Sequence, residues 1–228
     1  MQRVVVFPGM HGTTDLLTEF AAAAPRDVHA ELVALPMQKF DYPALTSHFA
    51  AALELSANSV LVAESFSGPL AIMLAAQCDV AALVLCNTFA RAPYPRALRA
   101  LPLSQLARIP PPSILLRHYA VGWDAPARVV ARVRDTVASV PHDLLAFRAR
   151  CALNVDVTSV LARCRAPILY VRGTEDRLVR DRSVVEVVAG ASTQVSVAKI
   201  RGAHLILTTA PREVWKFISE FLARQKAP

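Results

Sequence analysis

Three side chains in this sequence have chemistry that combines into one device: the hydroxyl of Ser65, the carboxyl of Asp176 and the imidazole of His204. Ser65 lies in Val60-Leu61-Val62-Ala63-Glu64-Ser65-Phe66-Ser67-Gly68-Pro69-Leu70-Ala71. There an apolar run gives way to a polar knot and then to helix-forming residues up to about Gln77. A buried strand that turns sharply into a helix has this pattern. A serine at such a turn is held in a strained, exposed position with a helix N-terminus behind it. Close packing of strand on helix calls for small residues two before and two after the serine. Ala63 and Ser67 stand there, in place of the glycines of the G-x-S-x-G pattern. Ser67 is a rival nucleophile that fits worse, because Pro69 follows it and its own small size is needed for packing around Ser65. Taken alone, the stretch is also consistent with an ordinary strand-to-helix turn, so the rest of the chain has to decide.

The elements that would position these groups alternate between strand and helix. Strands are expected at Arg3 to Phe7, Ala30 to Leu35, Val60 to Glu64, Ala81 to Cys86, Ile168 to Arg172 and Gln194 to Lys199. Helices are expected from Thr14 or Asp15 to about Ala24, and over Tyr42 to Leu55, Phe66 to Gln77, Asp181 to Ala189 and Pro211 to Arg224. Repeated strand–helix pairs with continuous apolar strands imply an α/β fold with a mostly parallel sheet of about six strands, helices covering both faces. Residues 88 to 166 break the alternation. Six prolines fall between Pro93 and Pro112, and helical patterns appear near Pro95–Ala107, Ile114–Val121, Pro126–Ala138 and His142–Leu153, with a short helix from Thr158 to Arg163. The expected organisation is a core of residues 1–88 and 166–228 with a helical cap of residues 89–165 inserted into it.

Ligands of open parallel sheets bind beyond the carboxyl ends of the strands. The first strand ends in Pro8-Gly9-Met10-His11-Gly12, whose glycines let backbone N–H groups approach a substrate oxygen. The third ends at Ser65, the fifth in Gly173-Thr174-Glu175-Asp176, and the sixth in Gly202-Ala203-His204. Nucleophile, acid and histidine thus follow one another in the order Ser, Asp, His. Glu175 is a neighbouring rival to Asp176, and Asp156 is better explained as a helix cap.

On these residues the chain resembles the α/β-hydrolase-fold serine hydrolases, the superfamily of esterases, lipases and acyltransferases, over nearly its whole length. Gly173-x-x-Asp176-x-x-Val179 is similar to the acid turn of that superfamily. Gly202-Ala203-His204 followed by Ala210-Pro211 is similar to its histidine loop and last helix, and Pro8-Gly9-Met10-His11-Gly12-Thr13 to its oxyanion loop. The resemblance implies a Ser65–His204–Asp176 triad, with the N–H groups of Met10 and Phe66 as the oxyanion hole and no cofactor. His204 would take the serine proton and later protonate the leaving group, Asp176 would orient the imidazole, and water would release the acyl group. The chain departs from the superfamily in lacking both elbow glycines, in carrying Glu64 beside the nucleophile, and in starting at the strand that bears the oxyanion loop, so the sheet is expected to lack the first two strands. Pocket candidates are His11, Glu64, Phe89, Tyr94 and Trp123. The same triad would also suit a cofactor-free haloperoxidase or C–C hydrolase, and the same fold a non-catalytic ligand receptor.

Composition narrows the classes. With 228 residues, 54% hydrophobic and 19% charged, the chain can bury a sizeable core. The N-terminal apolar run is too short for a signal peptide and no stretch is long enough to span a bilayer, so a cytoplasmic protein is expected. Cys78, Cys86, Cys151 and Cys164 form no Cys-x-x-Cys pair and the six histidines show no metal-ligand spacing, so no metal is expected. The net charge is +7. Between Arg91 and Arg150 stand ten arginines, no lysine and three acids, while the rest of the chain balances 15 basic against 15 acidic residues. The segment holds no nucleic-acid motif. A basic surface of this kind would suit an acidic carrier, as in the superfamily's carboxylesterases that act on pimeloyl-carrier-protein methyl esters. A solvated arginine-rich face is the plainer explanation.

Overall fold

The computed structural model describes residues 1–226. Six strands form one sheet: β1 (Gln2–Phe7), β2 (Val28–Leu32), β3 (Ser59–Glu64), β4 (Ala82–Cys86), β5 (Ile168–Gly173) and β6 (Val195–Ile200). Their order is β2-β1-β3-β4-β5-β6, and every pairing is parallel. The six strands expected from the sequence are all present; β2 begins two residues earlier than expected, in register with β1 through Gln2 opposite Val28.

Successive residues of a strand point to opposite faces, and here both faces are apolar. Val5, Phe7, Leu61, Ala63, Leu83, Leu85, Ile168 and Tyr170 pack on one side. Helices α2 (Tyr42–Ala52), α3 (Gly68–Gln77), α8 (Thr158–Leu161) and α9 (Asp181–Gly190) contribute to that core. Val4, Val6, Val60, Val62, Val84, Leu169 and Val171 face the other way, against α1 (Thr18–Ala22) and α11 (Pro211–Lys226). Phe20 of α1 stacks on Trp215 of α11 at 4.5 Å, and the Trp215 indole N–H donates to the Phe20 carbonyl at 2.6 Å.

The chain runs from β1 outward to β2 and then returns to the other side of β1 as β3. That reversal places the loop after β1 next to the turn after β3, the crevice where doubly wound sheets bind ligands. Between β4 and β5 the insertion is helical: a 3₁₀ turn (Arg96–Ala100), α4 (Leu103–Leu106), α5 (Ser113–Leu115) continuing into a π-helical turn (Leu116–Val121), α6 (Ala127–Ala138), α7 (His142–Asn154) and then α8. Prolines at 102, 112, 126 and 141 immediately precede α4, α5, α6 and α7, where a missing N–H costs nothing. A last short helix, α10 (Ile206–Thr209), follows β6 and has no counterpart in the sequence reading. No helix among the described residues is long and apolar enough to cross a membrane.

Candidate active site

Ser65 sits directly after β3 with φ +55°, in the left-handed region that non-glycine residues rarely occupy. Such a backbone costs about 1–3 kcal/mol and persists only when its surroundings enforce it. Three side chains do so. The Thr88 hydroxyl donates to the Ser65 carbonyl, the Tyr42 hydroxyl to the Phe66 carbonyl at 2.9 Å, and the Ser67 hydroxyl to the Pro8 carbonyl at 2.5 Å. Ser67 is therefore more than a small residue: it ties the turn to the loop after β1. The glycine the turn needs is Gly68, three residues after Ser65. A β-carbon there would meet Thr88 Oγ1 at 1.9 Å.

The three groups expected to work together are in contact. His204 Nε2 lies 2.7 Å from Ser65 Oγ, and His204 Nδ1 lies 2.9 Å from Asp176 Oδ2. The other carboxylate oxygen of Asp176 accepts the N–H groups of Leu178 at 2.8 Å and Val179 at 3.0 Å. This is the physical content of the Asp176-x-x-Val179 spacing: the acid fixes its own turn. Burial opposes charge on His204, yet the carboxylate of Asp176, aided by that of Glu64, raises its pKa above the ordinary histidine value. Glu175 points elsewhere, to Arg201 at 3.3 Å, and Asp156 accepts from the Thr158 N–H and hydroxyl and pairs with Arg91.

Further residues, missed from the sequence, hold this arrangement. Asn87, at the end of β4 with φ +44°, is fully buried. Its side-chain oxygen accepts the Gly173 N–H at 2.7 Å, and its amide donates to the carbonyls of Ala203 at 2.9 Å and His204 at 2.8 Å. One amide thereby joins the acid turn to the histidine loop. Its position at a strand end was the available signal. Arg172 is buried beneath the acid turn and donates to the Asp176 carbonyl at 3.1 Å. Arg148 of α7 has no comparable sequence signal. It is 2% exposed, and its guanidinium donates to the carbonyls of Met10 and His11 at 2.9 Å and of Pro36 at 2.8 Å. Gly12, at φ +79°, leaves the room: a β-carbon there would lie 2.4 Å from Arg148 Nη1. The insertion thus clamps the loop after β1. Burial lowers the Arg148 pKa to about 10.

Two cavities open on Ser65 and His204. The larger, about 420 Å³, is lined by Met10, His11 and Leu16 together with Leu103, Leu116 and Ala146 of the insertion, among others. The smaller, about 270 Å³, is lined by Phe66, Phe89, Tyr94, Leu98, Leu153 and neighbours, and Met10 is common to both. Of the expected pocket residues, His11, Phe89 and Tyr94 are at these walls. Glu64 is not. Strand alternation sends its side chain to the same face as Val60 and Val62, where it accepts the Leu207 N–H at 3.0 Å. Burial raises its pKa to about 7. Trp123 is also elsewhere. It follows Gly122, whose φ is +91°, stands 52% exposed, and borders a separate polar groove with Arg201 and Glu175. Among the described residues no cluster of three or more His, Cys, Asp or Glu side chains is placed to hold a metal ion.

Seven of the ten arginines of the 91–150 segment are engaged within the chain. Arg91, Arg132 and Arg134 pair with acids, and Arg99, Arg117, Arg148 and Arg150 bond to carbonyls or hydroxyls.

No protein-family model and no curated protein matches the sequence. Solved structures do match its fold. The MenH protein of Staphylococcus aureus superposes with a TM-score of 0.80 at 14% identity, over 99% of this chain and 95% of that one. An esterase from Exiguobacterium antarcticum gives 0.78 at 14% identity, over 100% and 92%. The enol-lactonase of Burkholderia xenovorans gives 0.74 at 19% identity, over 97% and 91%. With its six parallel strands, helices on both faces and helical insertion after β4, the chain has the α/β-hydrolase fold.

Proposed function

We propose that this protein is a serine hydrolase that cleaves a carboxylic ester or thioester through an acyl-enzyme. The observation that carries the reading is the unbroken hydrogen-bonded line from Ser65 Oγ through His204 to Asp176, at 2.7 and 2.9 Å, at the junction of two apolar cavities. A serine hydroxyl becomes a useful nucleophile only when a base removes its proton. His204 Nε2 is at bonding distance to do this, and Asp176 on Nδ1 fixes the tautomer that leaves Nε2 free to accept. Attack on the carbonyl carbon forms the Ser65 Oγ–C bond and moves an electron pair onto the carbonyl oxygen. The N–H groups of Met10 and Phe66 would receive that oxyanion, each donor contributing roughly 3 kcal/mol. Phe66 lies in the first turn of a helix, whose N–H groups lack intrahelical acceptors. The protonated His204 then gives its proton to the departing alcohol or thiol, and water repeats the sequence to release the acid.

The segment 89–165 acts in this reading as a cap, supplying apolar wall to both cavities. Two cavities meeting at one nucleophile suit a substrate with an apolar group on each side of the scissile bond. The esterase and the enol-lactonase among the similar structures are in keeping with it. An acidic carrier as the leaving group is the weaker form of the proposal, since only Arg96, Arg108 and Arg128 of the arginine-rich segment lack a polar partner among the described residues. It requires that activity on a carrier-bound ester fall with added salt while activity on a small neutral ester does not.

The test is hydrolysis of p-nitrophenyl esters of graded acyl length by the wild type and Ser65→Ala. Turnover that depends on chain length and vanishes in the variant supports an acyl hydrolase. Absence of turnover with every ester of the series would favour a ligand receptor on the same fold.

A further inference from the structure

Residues 96–119 of the insertion present an apolar outer surface. Leu101, Leu106, Ile109, Ile114, Leu115 and Tyr119 all stand exposed there, Ile109 at 65% and Ile114 at 62%. The inner side of the stretch is held down. The 3₁₀ turn and α4 pack on α7, the Arg99 guanidinium donates to the Leu153 carbonyl at 2.9 Å, and Arg150 of α7 donates to the Ser104 hydroxyl at 3.2 Å. Five residues on from Ile109 stands Ile114, so at most about 18 Å of chain separates the two. Single exposed hydrophobes are ordinary, but large ones gathered in one stretch mark a contact surface.

The charge of this stretch has one sign. Between Asp79 and Asp124 the sequence holds five arginines and no Asp or Glu. Of the five, Arg91 meets a carboxylate, that of Asp156. Arg99 and Arg117 bond to carbonyls, which leaves their charge in place. Arg96 and Arg108 are exposed and lack a polar partner among the described residues. The connection from α4 to α5 contains Pro110-Pro111-Pro112, three successive residues without an N–H group. A backbone N–H carried out of water without an acceptor is costly, and here that cost is missing at three positions.

We infer that the outer surface of residues 96–119 docks on a lipid bilayer with anionic headgroups. Arginine suits that boundary, because its stem lies along apolar neighbours while the guanidinium stays with the phosphates. The aliphatic side chains beside it enter the edge of the acyl region, and Tyr119 fits the headgroup level. An acidic protein would be held through several free arginines. Two stand free here, Arg108 directly beside Ile109, and a bilayer engages the charge and the apolar side chains together. No described helix is long and apolar enough to cross a membrane, so the attachment is peripheral. Docking also brings both cavities to the lipid: Leu101 and Leu103 border the smaller, and Leu103, Leu106 and Ile109 the larger. On the hydrolase reading, an ester dissolved in the bilayer then reaches Ser65 without crossing bulk water.

The experiment is co-sedimentation of the full chain with vesicles of phosphatidylcholine alone and of phosphatidylcholine mixed with phosphatidylglycerol. The wild type is expected to bind the mixed vesicles at least about tenfold more tightly than the neutral ones, with added salt narrowing the gap. The double variant Ile114→Ser, Leu115→Ser alters the wall of neither cavity. It should lose about tenfold to a hundredfold in affinity for the mixed vesicles. Arg108→Gln should lose about fivefold on mixed vesicles and nothing on neutral ones. These positions are exposed, and an unchanged thermal midpoint shows that each variant is folded. Binding needs no turnover, so it supports the inference even if no ester is cleaved, in which case it is the hydrolase reading that fails. A wild type that ignores mixed vesicles overturns the inference whatever its activity. So does equal binding to both kinds of vesicle, or binding that the double variant retains in full. A dimer that the double variant dissociates, without vesicle binding, would assign the surface to a second copy of the chain. Retention on immobilised polyglutamate without vesicle binding would assign it to an acidic protein. Either result overturns docking on lipid.

Discussion

At the scale of single residues, the proposed reaction needs His204 to be neutral when it acts and charged between steps. Its pKa is raised by the Asp176 carboxylate against the opposing effect of burial. A base must be unprotonated to work, so kcat/KM should rise with pH along a limb whose midpoint lies above 6.5, the ordinary histidine value. Replacing Asp176 by Asn removes the charge and the tautomer control together. We expect kcat to fall by about 10⁴-fold and the limb to move to lower pH; a limb unchanged in Asp176→Asn would mean that a different base operates. Arg148 offers a residue-scale test away from the chemistry. Arg148→Met leaves three carbonyls of the β1 and β2 loops without their donor. Because small misplacements of an oxyanion donor are costly, kcat should drop by about tenfold or more with KM little changed, and Arg148→Lys should recover part of the loss. Equal rates in Arg148→Met would show that the clamp has no bearing on the reaction.

At the scale of elements, the turn from β3 into α3 is the most constrained piece of the molecule. Its strain at Ser65 is balanced by Thr88, and Thr88 fits only because residue 68 has no side chain. Gly68→Ala should cost on the order of 2 kcal/mol or more, read as a loss in denaturant midpoint. Removing the obstacle in the double variant Gly68→Ala, Thr88→Ala should recover part of that loss, a coupling that independent sites would not show. Strict additivity would contradict the packing argument. The same turn shows what the sequence could reveal. The apolar run, the serine and the following helix were legible because they use the strong signals of periodicity and strand end. The role of Gly68 was not, because the residue it accommodates comes 20 positions later, from the end of β4. Asn87 was visible as a strand-end residue, but its hydrogen bonds join loops over 86 and more residues and follow only from the sheet order. Arg148 looked like any other arginine of a basic segment. Most of those arginines proved to be committed within the chain, where a count of charges had pointed outward.

Across the whole molecule, two buried titratable groups near the site work against each other. Glu64 titrates near 7 in the folded chain, above its ordinary value of 4.5, because burial disfavours its anion. A raised carboxyl pKa means the folded state holds its proton more tightly, so this group lowers stability as pH rises from about 4.5 through about 7, by about 3 kcal/mol in full. His11 has the opposite sign. Its folded value of about 4 lies below 6.5, so it lowers stability as pH falls from about 6.5 to about 4. The two slopes largely cancel where they overlap. Glu64→Gln keeps the acceptor for Leu207 and removes one slope. Its thermal midpoint should gain on the wild type as pH is raised from 5 to 8, and its own stability should climb between about 4.5 and 6.5. A constant difference between the two proteins across that range would mean that Glu64 does not titrate there. The overall architecture was largely legible in the sequence, because alternating strand and helix patterns with continuous apolar strands leave few alternatives. Glu64 and Trp123 were misassigned to the pocket for one shared reason: nearness in sequence to the nucleophile or to the insertion does not say which way a side chain points.

The central claim is that Ser65 is a nucleophile activated by His204. The most direct measurement is labelling of the folded protein with a fluorophosphonate, followed by mass mapping of the modified peptide, in the wild type and in His204→Ala. Modification at Ser65 is expected to be stoichiometric in the wild type, with a loss of labelling rate of at least about a thousandfold in the variant. A folded wild type that takes no label, or that takes it at Ser67 or another hydroxyl, would contradict it.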